Sequence, residues 1–137
     1  MQFEPIGVIR SPFKDISEIP RQSIYASNER AVVEIREELK DGLTYLEQSK
    51  YIVILFHFNQ SDSYELIQYP HGGSEARGVF ATRSPRRPNP IGMSIVKLLK
   101  IDGCNLEIQG VDMLDGTPVL DIKPYSEGLN PPSENEA

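Results

Sequence analysis

Residues 94–111 read SIVKLLKI-DGC-NLEIQGV: two aliphatic, β-branched runs, 94–101 and 105–111, either side of Asp102-Gly103-Cys104. Each run suits a strand, and so short a glycine-containing turn between them is a β-hairpin signal. Antiparallel pairing therefore organises the second half of the chain. Downstream, 112–118 is a turn-rich link and 119–123 (VLDIK) is one more strand, closed by Pro124. Upstream, 51–58 (YIVILFHF) is the most hydrophobic run, and its length and branching predict a strand buried on both faces or nearly so. Residues 3–10 (FEPIGVIR), 31–36 (AVVEIR), 64–69 and the short 79–82 also read as strands. In 37–48, Leu39, Leu43 and Leu46 fall at helical spacing and predict a short helix, weakened by Gly42.

The sum is seven or eight short strands and one or two short helices. No βαβ alternation and no glycine-rich phosphate fingerprint appear, which excludes a Rossmann fold. The expectation is a mostly β, single-domain antiparallel β-barrel over 1–125, with a sandwich as the other layout of the same strands. Barrel closure would remove exposed sheet edges. Residues 126–137 turn polar and acidic and predict a frayed tail.

Composition narrows the function. The chain has 137 residues, 39% hydrophobic and 25% charged, with a net charge of -6. Its apolar runs are too short for a membrane helix, so a soluble protein with no membrane partner is expected. Met1 to Pro5 shows no basic and then apolar leader pattern, so no signal peptide is read. Cys104 is alone, which precludes an internal disulfide and suits a reducing cytoplasm. His57 and His71 with a single cysteine make no metal-ligand spacing, so no metal is expected. An acidic chain does not suit a non-specific nucleic-acid coat, although a local basic face on an acidic body is compatible with it.

That local face is easy to find. Residues 78–94 read GVFATRSPRRPNPIGMS, and half of the eight arginines fall between Arg77 and Arg87 with no acid among them. Pro85, Pro88 and Pro90 fix φ and remove three amide donors, so the segment reads as a stiff loop. Guanidinium groups on a rigid backbone suit an anion or nucleic-acid contact; a solvated basic turn has the same composition. Asn59 and Gln60, ending the most apolar run, read either as a ligand edge or as a hydrogen-bonded turn. No nucleophile–base arrangement or apolar carboxylate pair is evident. The polar candidates (Arg21, Gln22, Asn59, Gln60, Arg83, Arg86, Arg87, Asn89, Asp112, Asp115, Asp121, Lys123) are positioning groups. They suit binding, or a transfer in which a cofactor carries the reactive bond. The residues themselves leave the cofactor open.

Five ordered segments supply more: IGVIRSPF (6–13), PRQ (20–22), GVFATRSP (78–85), RPNPIGMS (87–94) and LDGTPVLDIKPY (114–125). In order and spacing they resemble the TrmO (TsaA-like) family, over residues 3–125. The resemblance implies a β-barrel, homodimeric, S-adenosylmethionine-dependent tRNA methyltransferase of the cytoplasm. Its implied target is the N6 of threonylcarbamoyladenosine beside the anticodon, at tRNA position 37. The implied cofactor contacts are Pro20, Arg21, Gln22, Asn59, Gln60, Arg83, the Met93 backbone, and Asp112, Met113, Leu114 and Asp115. Arg86 and Arg87, with Asn89, Lys123 and Tyr125, are the implied contacts to the tRNA anticodon loop; Asn89 and Asp121 read equally as loop braces. The family commonly carries histidine where Asn59 stands, so a carboxamide replaces an imidazole here. The rival reading is a non-catalytic barrel that binds RNA or a nucleotide through 77–87.

Overall fold

Among the described residues, 1–18 and 28–132 of this computed structural model, eight strands form. They are β1 Gly7–Arg10, β2 Arg30–Ile35, β3 Tyr51–His57, β4 Ile67–Gln68, β5 Arg77–Gly78, β6 Ile91–Asp102, β7 Asn105–Gln109 and β8 Pro118–Pro124. Six of them close into a barrel in the order β1-β2-β7-β6-β3-β8, every neighbouring pair antiparallel; β4 and β5 make a separate two-stranded sheet. The predicted hairpin is present, with Asp102 opposite Asn105 and Gly103 at a φ of 63° in its turn.

Alternation along each strand builds the core, because successive side chains point to opposite faces. Ile9, Val33, Ile52, Ile54, Val96, Leu106, Ile108 and Val119 point inward and are almost wholly buried. Phe13, Val111 and Met113, from loops rather than strands, join the same cluster and plug one end. Burial of this kind is worth about 1.5–3 kcal/mol for each large aliphatic side chain and dominates the stability of so small a barrel.

Three local expectations are corrected. The run 51–58 is not buried on both faces: Ile52, Ile54 and Phe56 face inward, whereas Val53, Leu55 and His57 are half-buried outside and Tyr51 is exposed. A single-layer barrel has no second layer to cover that outer face. The strand read at 79–82 is a 3-10 turn, Val79–Ala81, closed by the Thr82 amide and hydroxyl, which both donate to the Val79 carbonyl. The strand read at 64–69 shrinks to Ile67–Gln68. The helical stretch at 37–48 forms as two 3-10 helices, Glu37–Leu43 and Leu46–Gln48; Leu43 and Leu46 pack on the core while Leu39 stays exposed. Beyond β8, Glu127–Leu129 adds a 3-10 turn, and Asn130 donates to the Tyr125 hydroxyl at 2.9 Å.

The antiparallel order sorts the connections between two ends. At the mouth, β1, β3 and β7 finish and β2, β6 and β8 begin, so the segments that start at Ser11, Phe58 and Gly110 all leave the barrel there. At the base lie 36–50, the β6–β7 turn, the start of β1 and the end of β8.

Candidate functional site

Segment 110–117 leaves β7 through Gly110, whose φ of 94° is open to glycine and strained for other residues. From there it alternates: Val111 and Met113 enter the core, and Asp112 between them turns to β6. Segment 11–14 fastens it. The Ser11 hydroxyl donates to the Met113 carbonyl at 2.6 Å, the Asp115 amide to the Phe13 carbonyl at 2.8 Å and the Gly116 amide to the Ile9 carbonyl at 2.7 Å. Asp115 accepts from the Ser11 amide at 3.0 Å and pairs with Lys14 Nζ at 2.8 Å. Lys14, then the Ser11 amide, hold its carboxyl below the usual carboxylate range despite partial desolvation.

Asp112 is different. Its carboxylate is largely desolvated and accepts one side-chain hydrogen bond among the described residues, from Ser94 Oγ at 2.7 Å. Burial pushes it above the usual carboxylate range, opposed by that hydrogen bond and a backbone one. A carboxylate in this setting gains most from a cation or a hydroxyl donor brought to it. Of the two carboxylates in 112–115, Asp115 is already engaged and Asp112 is available.

The strand facing Asp112 offers complementary groups. β6 has twelve residues, but β7 covers only its second half, from Lys97 onward. Residues 91–96 pair with β3 alone. Antiparallel hydrogen bonding alternates along the pair, and two bonds fix its phase: the Leu98 amide donates to the Lys50 carbonyl, and the Phe58 amide to the Pro90 carbonyl. It follows that the N–H and C=O groups of Met93 and Ile95 point away from β3, toward the side where β7 has ended. Backbone donors and acceptors of Met93 and Ile95 are therefore left without a strand partner on the same stretch of β6 whose Ser94 binds Asp112. The Met93 side chain lies elsewhere, on the outer face at 46% exposure.

The third part of the mouth is 58–90. Asn59 and Gln60 sit exposed in a turn held by Asn59 N–H to His57 O and Ser61 N–H to Phe58 O; the turn is hydrogen-bonded through its backbone and leaves both carboxamides outward. Ser61 Oγ donates to the Pro85 carbonyl at 3.0 Å and Gln68 Nε2 to the Arg86 carbonyl at 2.6 Å, stitching the proline-rich loop to the rest of the excursion. Its arginines differ. Arg87 folds back and donates to the Thr82 and Ser84 carbonyls at 3.0 and 3.1 Å. Arg86 pairs with Glu65 at 2.9 Å. Arg83 is exposed and makes no hydrogen bond or ion pair to a described residue. The Asn89 carbonyl accepts from the Ile91 amide.

Asn59, Gln60, Arg83, Arg86, Arg87, Asn89, Met93 and Asp112 to Asp115 thus belong to segments that leave or enter the barrel at its mouth. Met113 offers little beyond packing: its side chain is core and its carbonyl is held by Ser11. The Leu114 carbonyl is held by Thr117. Pro20, Arg21 and Gln22 lie outside the described residues. Lys123 and Tyr125 are not brought to the mouth: β8 runs downward, so both sit at the base end, Lys123 paired with Asp121 at 2.9 Å and Tyr125 bonded to Asn130. Asp121 accordingly braces Lys123 and not the proline-rich loop. Ser94, Ser11, Lys14 and the Ile95 backbone were not anticipated; one polar residue leading an apolar strand is the signal that Ser94 carried.

The family profile described as tRNA-methyltransferase O N-terminal domain matches residues 8–130. A "Probable S-adenosyl-L-methionine-binding protein" of Archaeoglobus fulgidus is 45% identical over 130 residues, covering 95% of this chain and 35% of that protein. A "tRNA (adenine(37)-N6)-methyltransferase" of Mus musculus is 41% identical over 136 residues, covering 94% of this chain and 32% of that one. The chain thus spans about a third of the length of both relatives. A crystal structure of TrmO from Pseudomonas aeruginosa superposes with a TM-score of 0.81 at 38% identity, covering 98% of this chain and 61% of that one.

Proposed function

The chain belongs to the tRNA-methyltransferase O N-terminal domain family, and on that premise we propose that it methylates the adenine N6 at tRNA position 37, using S-adenosylmethionine. The finer reading is that the accepting base is N6-threonylcarbamoyladenosine, that the enzyme is a homodimer and that it works in the cytoplasm. One observation carries the proposal: the half of β6 that β7 leaves uncovered holds the half-buried carboxylate of Asp112 through Ser94, at the mouth end of the barrel.

The groups present fit such a cofactor. S-adenosylmethionine supplies an electrophilic methyl group on a cationic sulfur, with an adenine, ribose hydroxyls, an ammonium and a carboxylate around it. The Met93 and Ile95 backbone offers paired donors and acceptors to an adenine edge or an amino-acid end. Asp112 suits ribose hydroxyls or an ammonium, and Arg83 suits a carboxylate. Asn59 and Gln60 add neutral donors and acceptors at the rim. None of these groups is a nucleophile. Their work is to hold two reactants so that N6 approaches the methyl carbon in line, which is where orientation contributes most. Arg86 and Arg87 border the same rim and suit RNA phosphates, Arg86 after exchanging Glu65 for a phosphate.

The homodimer draws support from the outer face of β3 and β6, where Tyr51, Ile91, Met93 and Ile95 form an exposed apolar row. Light scattering on Ile95→Glu should report a monomer where the parent protein reports a dimer. Calorimetric titration with S-adenosylmethionine, followed by transfer of labelled methyl to tRNA with and without threonylcarbamoylation, tests the rest. Absence of cofactor binding in the presence and absence of tRNA would leave an RNA-binding barrel.

A further inference from the structure

The excursion that carries the arginines also carries three of the six exposed aromatic residues among the described residues. Phe80 is 81% exposed, Tyr69 57% and Tyr64 54%, and Leu66 and Ile67 are more than half exposed beside them. These residues are on or beside the β4–β5 sheet, in which Ile67 lies opposite Gly78 and Gln68 opposite Arg77. That sheet is no loose flap. The Val79 amide donates to the Leu66 carbonyl at 2.8 Å, Val79 itself is buried, and Gln68 and Glu65 both bind Arg86. A rigid platform therefore presents rings to solvent, at a position where the barrel core needs none of them.

We propose that the exposed side chains of Ile67, Tyr69 and Phe80, with Arg77 beside them, form a stacking platform for unpaired RNA bases next to the one that is brought to the mouth. Three observations choose RNA over a second copy of the chain. The first is charge: residues 59–90 hold four arginines against three acids, while the remainder holds ten bases against seventeen acids. The second is side-chain type. Exposed rings interleaved with guanidinium groups, with no lysine in the excursion, match the combination that stacks bases and tracks a backbone. The third is place, since the platform is bonded to the loop carrying Arg83 at the mouth, and the apolar row suited to self-association lies on the β3–β6 wall. This inference rests on the proposed RNA substrate and adds where its neighbouring nucleotides lie.

The test is fluorescence anisotropy at low salt, with a labelled RNA stem-loop of anticodon-arm dimensions and a blunt RNA duplex of equal charge. Loss of one stacked base corresponds to about a tenfold weakening. Phe80→Ala and Tyr69→Ala should each weaken stem-loop binding about tenfold and duplex binding hardly at all. Phe80→Tyr should restore it, and calorimetric affinity for S-adenosylmethionine should stay unchanged in all three. Equal stem-loop affinity in parent and alanine variants overturns the platform alone. Lack of stem-loop binding by the parent protein overturns the RNA reading and the platform with it. Dissociation of a dimer by Phe80→Ala, with RNA affinity per protomer unchanged, reassigns the surface to self-association and overturns the proposal.

Discussion

Ser94 Oγ donates to Asp112 Oδ1 at 2.7 Å, linking an inward position of β6 to the segment that leaves β7. Removing the hydroxyl leaves a desolvated carboxylate without its side-chain donor. Ser94→Ala should cost about 1–3 kcal/mol by denaturant melting and weaken cofactor binding through a misplaced Asp112. Asp112→Asn keeps an acceptor for Ser94 while removing the buried charge. It should melt no lower than the parent at neutral pH yet lose S-adenosylmethionine affinity, a combination that separates a binding group from a structural one.

The two carboxylates of this segment should respond to acid with opposite sign. Asp112 titrates above its ordinary range because it is desolvated, so its folded form prefers the proton. Its contribution to stability is greatest below the ordinary carboxylate range and is lost as pH rises through the raised value. Asp115 titrates below its ordinary range because of Lys14, so its contribution is present above that range and lost as pH falls through the lowered value. Melting curves against pH should flatten on the acid side for Asp115→Asn, and cofactor affinity should fall with acid only while Asp112 is present.

Arg83 and Arg87 are separated by four positions and should fail differently. Arg83→Ala should abolish methyl transfer while shifting stability by no more than about 0.5 kcal/mol, as exposed substitutions do. Arg87→Ala removes the donor to two carbonyls of its own loop, so it should loosen residues 82–87. Hydrogen exchange at those amides would report this. Arg87→Lys should not rescue the effect, because an ammonium on a flexible stem does not reproduce the planar guanidinium's geometry.

Gly92 is a packing glycine. A Cβ there would run into the Phe56 ring and lie 2.8 Å from the Phe58 ring, two rings already stacked edge to face at 5.0 Å. Gly92→Ala should cost about 1–3 kcal/mol, the usual price of overpacking, measured as a lower melting temperature. Phe58→Leu should recover part of the loss.

The barrel was legible because its strands are short aliphatic, β-branched runs and its hairpin turn is short and contains glycine. The outer wall was not: Val53 and Leu55 give β3 the composition of a doubly buried strand, and composition does not distinguish a covered face from an apolar one left open. Val79 to Ala81 have strand-forming side chains, but Thr82 closes the segment locally with two hydrogen bonds to one carbonyl. The polar residues of the mouth could be named from the sequence, yet not their division of labour. That Asp115 is engaged and Asp112 available depends on Ser11, Lys14 and Ser94, which pairing alone brings near. Strand direction would have separated Lys123 and Tyr125 from the mouth, since β8 must run opposite to β1 and β3.

Both ends of the barrel's chain emerge at the base: the Arg36 amide donates to the Ile6 carbonyl there, and the Tyr125 amide to the Tyr51 carbonyl. Material joined before Gly7 or after Pro124 therefore starts out on the side remote from Asp112 and Arg83. The architecture is modular in a directional sense: fusions, affinity handles or surface tethers joined at either end of the barrel's chain start out on the face opposite the mouth loops.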